Sequence, residues 1–467
     1  MTWIATVGCA LVICGFFLLD RDRAVRTSKA LWIPVIWVFL VASRPVSQWL
    51  QLKSTAEQAD QYIEGTPLDA LVFGILLAVG LVVLFGRRRR IGVVLRANAP
   101  ILLFFSYCAL SILWSDYPVV ALKRWTKAAG DVVMVLIVLT DPDPGPAVTR
   151  LFSRPGFVIL PLSILFYKYY PDLGRSYGLD GTLYWTGAAQ GKNGLGTICL
   201  ICGLVSIWCL LGAYGCRGDP HRVRRLFTHG ALLATALYLL WAANSMTSIS
   251  CLVMAGTLIV ITSLFRSARR PASVHFIIFA MVGISIAALF VGVGAATLGA
   301  MGRDPTLTGR TAIWTAVLSM KVNPLLGTGF ESFWLGERLR KVWDLTAVGL
   351  QEAHNGYIEI YLNLGWIGLS LLAALIVAGY RNAIGVFRRD PDAGQIRLAF
   401  FLVAVVYSFT EAGFRMMSPV WIAFLWATLA VPRLRSMGDR TLVRQAPPQG
   451  AFVDPRTTPT YDREERI

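Results

Sequence analysis

The sequence predicts an all-α, polytopic membrane protein with about twelve to thirteen transmembrane helices and one long outer loop. Three observations predict it. Of the 467 residues, 55% are hydrophobic and only 15% are charged, too few charges to cover a soluble surface of that size. The mean hydropathy is +0.59. The apolar residues form long continuous runs that do not alternate. In lipid only helices and closed barrels satisfy the backbone, and continuous runs select helices.

The runs fall at roughly 2–19, 28–43, 68–86, 98–114, 118–139, 154–170, 194–214, 227–244, 248–265, 273–299, 356–379, 396–411 and 417–432. The first carries its charges after the apolar stretch and lacks a basic region before it, so it reads as a retained span and not as a cleavable signal. The second is short. The fifth opens among Lys123, Arg124 and Lys127, which blurs its edge. Residues 1–432 are expected to form a single transmembrane domain, and the polar, Pro-containing tail 433–467 a disordered cytoplasmic extension.

The net charge of +17 does not point to nucleic acid. Lys and Arg gather in short clusters between apolar runs: "RDRAVR" (21–26), "RRRR" (87–90), "RVRR" (222–225), "RSARR" (266–270) and "FRRD" (387–390). All five fall on one side if every run spans, and that side is cytoplasmic. The other side carries 171–193, the short link near 245–248 and the long loop 300–355. No P-loop or Rossmann fingerprint occurs, so chemistry on that side needs a substrate that arrives already activated. The eight cysteines lie mostly inside apolar runs, and the Cys199/Cys202 spacing reads as small hydrophobes in a helix.

Within the long loop, Ile313, Trp314, Val317 and Leu318 share one helical face, and Leu335, Leu339, Val342 and Trp343 repeat the pattern. Two short amphipathic helices fit this, placed to act as a lid over a cavity between spans.

Four outer features have residue types suited to chemistry. In 173–196, Arg175, Lys192 and Asn193 precede or open a spanning helix, where the N-terminal dipole and a Lys favour an anion; a snorkelling anchor is the plain alternative. Arg310 opens the first amphipathic helix, with Thr308 as cap, and offers bidentate phosphate contact or a simple interfacial charge. "NPLLGTGFESFW" (323–334) is a turn between the two helices, and its Glu331 is either a site charge or decoration of the next helix. His354 stands at the lip of the next span, beside Asn355 and behind Glu352. It can accept a proton from a sugar hydroxyl, with Asn355 and Glu352 orienting it or binding a polar substrate, or it simply closes the helix entry. His221, His229 and His275 read as structural or interfacial, and the hydroxyls of 245–250 as a helix–helix contact.

The order of "LWSDYP" (113–118), "GKNGLG" (191–196), "GRTAIW" (309–314), "NPLLGTGF" (323–330) and "HNGYIEIYLNLGWIGL" (354–369) resembles the O-antigen ligase and polymerase superfamily of bacterial envelope glycosyltransferases. The "FW" after the glycines looks most like its exopolysaccharide-polymerase branch. The resemblance implies a multi-pass enzyme of the bacterial inner membrane. Its donor is a glycan linked through pyrophosphate to undecaprenol. Its acceptor is lipid A core or another lipid-linked repeat. The family's pattern needs no metal, nucleotide sugar or other cofactor. It also implies His354 as the catalytic histidine, here read as the base of an inverting transfer, and Arg310 and, by loop and order, Arg175 as phosphate-binding arginines; Lys192, Asn193, Asn355 and Glu331 are the substrate contacts expected beside them. Many members have His-Lys-Asn where this chain has Gly191-Lys192-Asn193. Membrane lipids and polysaccharide-assembly proteins are the further partners expected, and nucleic acid is not. Two other classes fit the composition: a solute transporter of the inorganic-carbon type, and a non-catalytic assembly partner. Sparse charge in the spans from 194 to 299 argues against transport.

Overall fold

The computed structural model describes residues 1–22, 25–51, 66–177, 181, 183–216, 218–290, 310–346 and 350–432. The Thr308 cap and the tail 433–467 lie outside these residues, as do parts of the long loop. The described residues form helices α1 (Thr2–Asp20), α2 (Trp32–Ala42), α3 (Pro67–Gly86), α4 (Arg88–Arg96), α5 (Ala99–Leu110), α6 (Pro118–Leu139) and α7 (Pro144–Tyr169). A two-stranded antiparallel hairpin follows, β1 (Arg175–Tyr177) and β2 (Leu183–Trp185), with Arg175 opposite Trp185. Then come α8 (Lys192–Gly215), α9 (Arg222–Ala243), α10 (Met246–Leu264), α11 (Pro271–Phe290), α12 (Arg310–Leu318), α13 (Gly336–Thr346), α14 (Gly356–Arg389), α15 (Pro391–Tyr407) and α16 (Pro419–Thr428).

Each predicted apolar run holds a helix, and the protein is an all-helical multi-pass membrane protein. Among the described residues, however, seven helices are long and apolar enough to cross a bilayer: α1, α3, α7, α8, α9, α10 and α14. The count is eight if α4 and the segment Ala99–Trp114, bent by 91°, make one span. The expected twelve to thirteen came from treating every run as a full crossing. The 10 residues of α16 rise only about 15 Å, half of the ~30 Å hydrocarbon core. The 22-residue α6 is long enough but carries Lys123, Arg124, Lys127 and Asp131.

The centre of the bundle follows from helices that are apolar all round. Every residue from Leu195 to Ser206 of α8 is buried, as is every residue from Gly394 to Ala404 of α15 and all of α16. α8 packs against α7, α9, α10 and α15, and α15 against α14 and α16. The cation of α15 is tolerated in this interior because its donors are used: Arg397 donates to the carbonyls of Ala427 and Leu429 at 3.1 and 2.9 Å, closing the end of α16.

One irregularity positions the site. α14 breaks at Gly365, where φ is 64°. The 323–329 turn fills the break. Trp366 N–H donates to Pro324 O at 2.8 Å, and Thr328 and Gly329 N–H groups donate to Leu362 and Asn363 carbonyls at 3.1 and 2.9 Å. A Cβ on Gly365 would stand 2.3 Å from the Leu325 carbonyl, so glycine is required for its φ and for this approach. The motif read as a turn between two helices is thus also a plug that replaces lost helical hydrogen bonds. The amphipathic helices α12 and α13 pack on the same side: Val317, Leu339 and Val342 share a small apolar core with Phe333, Trp334, Ala353 and Leu362.

Candidate functional site

α14 starts at Gly356 because Asn355 caps it. Its Oδ1 accepts from the N–H groups of Tyr357 and Ile358, both at 3.0 Å, while its Nδ2 donates to Phe409 O at 3.0 Å. The preceding His354 has φ 49°, a left-handed conformation that a non-glycine residue holds only when its surroundings enforce it. They do so here. Gly356 N–H donates to Ser408 O and Glu411 O at 2.8 and 3.1 Å. Ala353 N–H and the Trp334 indole both donate to the Glu359 carboxylate. The imidazole is thereby turned against the connection between α15 and α16.

That connection supplies the centre of the cluster, Glu411. Its Oε2 lies 3.1 Å from His354 Nδ1, and its Oε1 accepts from Arg310 at 2.5 Å and from Asn193 Nδ2 at 3.1 Å. Glu352 Oε1 lies 3.0 Å from the same His354 nitrogen. Arg415 continues the chain, with Nε 3.3 Å from Glu331 Oε2 and a terminal nitrogen 3.6 Å from Glu352 Oε2. Arg124 donates to the Glu331 backbone carbonyl.

Three carboxylates against two arginines leave one negative charge, which a protonated imidazole cancels. Burial works to lower the His354 pKa, but the hydrogen bonds and charges of Glu352 and Glu411 outweigh it and raise the value to about 10. Burial likewise works to raise Glu352, yet His354, and then Arg415 and Arg310, lower it to about 2. Arg415 is opposed by burial and held charged by Glu331, Glu359 and Glu352. With Nδ1 committed to carboxylates, Nε2 is the nitrogen of His354 left for another partner.

Glu352, Glu411 and Arg415 line a cavity of about 870 Å³ whose wall also includes Arg124, Lys127 and Asn193. The volume suits a sugar and its phosphates. Donor atoms of Glu352, His354 and Glu411 lie within 4.8 Å of one another, the donor set of a divalent-cation site. Arg310 on Glu411 and Arg415 near Glu352 already supply the positive charge there, which disfavours a dication.

Of the residues singled out in the sequence, the structure brings His354, Arg310, Asn193, Glu331, Asn355 and Glu352 into or beside one cluster. Arg175 is placed otherwise. Its guanidinium donates to Tyr167 O at 3.2 and 3.1 Å and lies 4.8 Å from the Tyr167 ring. Lys192 stands over the Tyr184 ring at 3.9 Å. Sequence reasoning did not pick out Glu411, Arg415, Glu359 or the basic wall of Arg124 and Lys127. The one signal for the first two was a Glu at the end of one apolar run and an Arg in the short link to the next.

Fold and site together define a multi-pass helical membrane protein with a charged cluster where a long loop meets a helix N-terminus. Residues 230–373, about a third of the chain, match the family model described as O-antigen ligase. The matched stretch runs from α9 into α14 and includes both Arg310 and His354. The chain is also similar to the exopolysaccharide production protein ExoQ of Rhizobium meliloti (strain 1021), 28% identical over 358 residues, or 71% of this chain and 77% of that protein.

Proposed function

We propose that the protein transfers or polymerises a glycan carried on undecaprenyl pyrophosphate, at the outer face of the bacterial inner membrane, with His354 as the general base. The observation that carries this reading is the orientation of His354 Nδ1 onto Glu411 and Glu352, beside a cavity lined by cations. The acceptor hydroxyl gives its proton to Nε2 while its oxygen attacks the anomeric carbon. The bond from that carbon to the phosphate oxygen breaks, and the configuration inverts. Arg310, Arg415, Arg124 and Lys127 offset the charge growing on the departing pyrophosphate. Asn193 and Asn355 hold the cluster, and Glu331 fixes Arg415. Arg175 and Lys192 act further along the donor, at the hairpin. No metal is used, because the arginines do its work.

One observation favours a second role for the same residue. A pKa near 10 keeps His354 an imidazolium at neutral pH, able to pair with the pyrophosphate. The pH profile separates the two roles, since a base works only when deprotonated.

The enzyme is tested with purified protein in nanodiscs, lipid-linked glycan, EDTA and no nucleotide. Transfer to lipid A core defines a ligase, and laddering of lipid-linked repeats alone defines a polymerase. Failure of both, with solute counterflow in proteoliposomes, would mean transport instead.

A further inference from the structure

Asn193 opens α8 and reaches Glu411, whereas Gly215 closes α8 and lines a different cavity, of about 630 Å³. The intervening helix separates the two by about 33 Å at 1.5 Å per residue. The second cavity lies among the ends of α1, α8 and α10 and the starts of α7, α9 and α15. This is the end that carries the basic clusters.

Three side chains on its wall are buried yet carry a polar atom with no hydrogen-bond partner among the described residues: Thr228 Oγ1, His229 Nδ1 and Gln395 Nε2. Their exposures are 2%, 5% and 2%. Buried polar atoms are almost always satisfied, so three in the wall of one cavity, each a side-chain rotation from it, point to a polar occupant. Gln395 shows which kind. Its Oε1 accepts from Ser263 Oγ at 3.0 Å, which leaves the amide N–H₂ as the end without a partner, behind the cavity wall. His229, read from the sequence as structural, and the Thr228 hydroxyl add two further groups able to donate.

The rim adds charge. Four arginines on the wall (Arg150, Arg224, Arg225, Arg269) face three aspartates (Asp20, Asp22, Asp392), leaving one positive charge over among the described residues. Asp22 is 3.3 Å from Arg225, and Asp392 is 3.6 Å from Arg269. Arg269 also donates to the carbonyls of Thr262 and Ser263 at 2.8 and 3.1 Å. A guanidinium has five N–H donors, so such contacts leave donors over. A convergence of amide, hydroxyl, imidazole and guanidinium donors fits an acceptor-rich anion.

We propose that this cavity binds a phosphate group, either of an anionic lipid headgroup or of a soluble phosphate compound. Basic pockets between helices on the cytoplasmic side are suited to headgroups. Ordered water is the plain competitor. The proposal is independent of the transfer reaction, since none of these residues belongs to the His354 cluster.

The test uses the full-length protein in detergent, titrated separately with cardiolipin, phosphatidylglycerol, diacylglycerol, inorganic phosphate and ADP. Binding is read by native mass spectrometry and by the unfolding midpoint. Saturable binding of an anionic lipid, or of phosphate or ADP, supports the proposal and identifies the source. The affinity is expected to fall at least tenfold in Thr228→Val/Gln395→Met, which removes two donors at similar volume. Gln395→Glu, which keeps the size and adds a negative charge, should weaken binding at least as much and serves if the double variant fails to fold. No saturable binding, equal binding of diacylglycerol, or unchanged affinity in folded variants would overturn it.

Discussion

The two ends of the bundle hold similar side chains in opposite states. At the His354 end, Glu411, Glu352 and Glu331 are each matched by a histidine or an arginine within 3.6 Å. At the other end the three rim aspartates are also paired with arginines, but Thr228, His229 and Gln395 keep polar atoms without partners among the described residues. A closed charge network is preorganised and responds to protonation. An open set of neutral donors responds to a ligand. The difference teaches that titratable groups alone do not mark function: one end is read through pH and turnover, the other through binding.

The largest effects should come from breaking the closed network. His354→Ala is expected to lower kcat by about 10²–10⁴-fold, the usual contribution of a positioned proton acceptor. Arg310→Ala should follow, since it removes a cation from Glu411. Arg175→Ala should cost at least tenfold less than Arg310→Ala, because its guanidinium is committed to Tyr167. Steady-state transfer assays on the three variants rank them, and a loss for Arg175→Ala equal to that for Arg310→Ala would place Arg175 at the pyrophosphate and not further along the donor. Next in size is a structural break beneath the same end. Gly365→Ala combines a positive φ with a Cβ 2.3 Å from backbone atoms and should destabilise by about 2–4 kcal/mol or prevent folding. Gly283→Ala, in α11 with nothing within 4 Å, is the control and should be neutral or slightly stabilising in thermal unfolding.

The sequence made the helical, multi-pass character legible because hydropathy is a local property. It did not separate full crossings from short buried helices such as α16, because both are apolar and only length against the bilayer divides them. His354, Arg310 and Asn193 could be picked out as polar residues in outer segments where a lipid-borne substrate meets water. Glu411 and Arg415 could not, since a Glu at the end of an apolar run and an Arg just after it read as ordinary boundary charges until the fold sets them against His354 and Glu352. Lys192 and Asn193 looked like one feature. Consecutive helical residues point about 100° apart, and Asn193 reaches Glu411 while Lys192 stands over Tyr184. The glycines of "NPLLGTGF" and "LGWIGL" were legible as a family pattern but not as the two halves of one plug, which only long-range contact reveals.

The central claim is that His354, held by two carboxylates, takes the acceptor proton. Its most direct test is the pH dependence of kcat/KM for wild type and Glu411→Gln. A base whose pKa is raised to about 10 is deprotonated in a fraction that grows up to that value, so the wild-type rate should climb with pH and level off near 10. Removing the Glu411 charge should move that limb down toward 6.5, the ordinary histidine value, with a lower plateau. A wild-type rate that falls as pH rises through 10 would make His354 an electrostatic imidazolium, and a limb unmoved by Glu411→Gln would contradict the account.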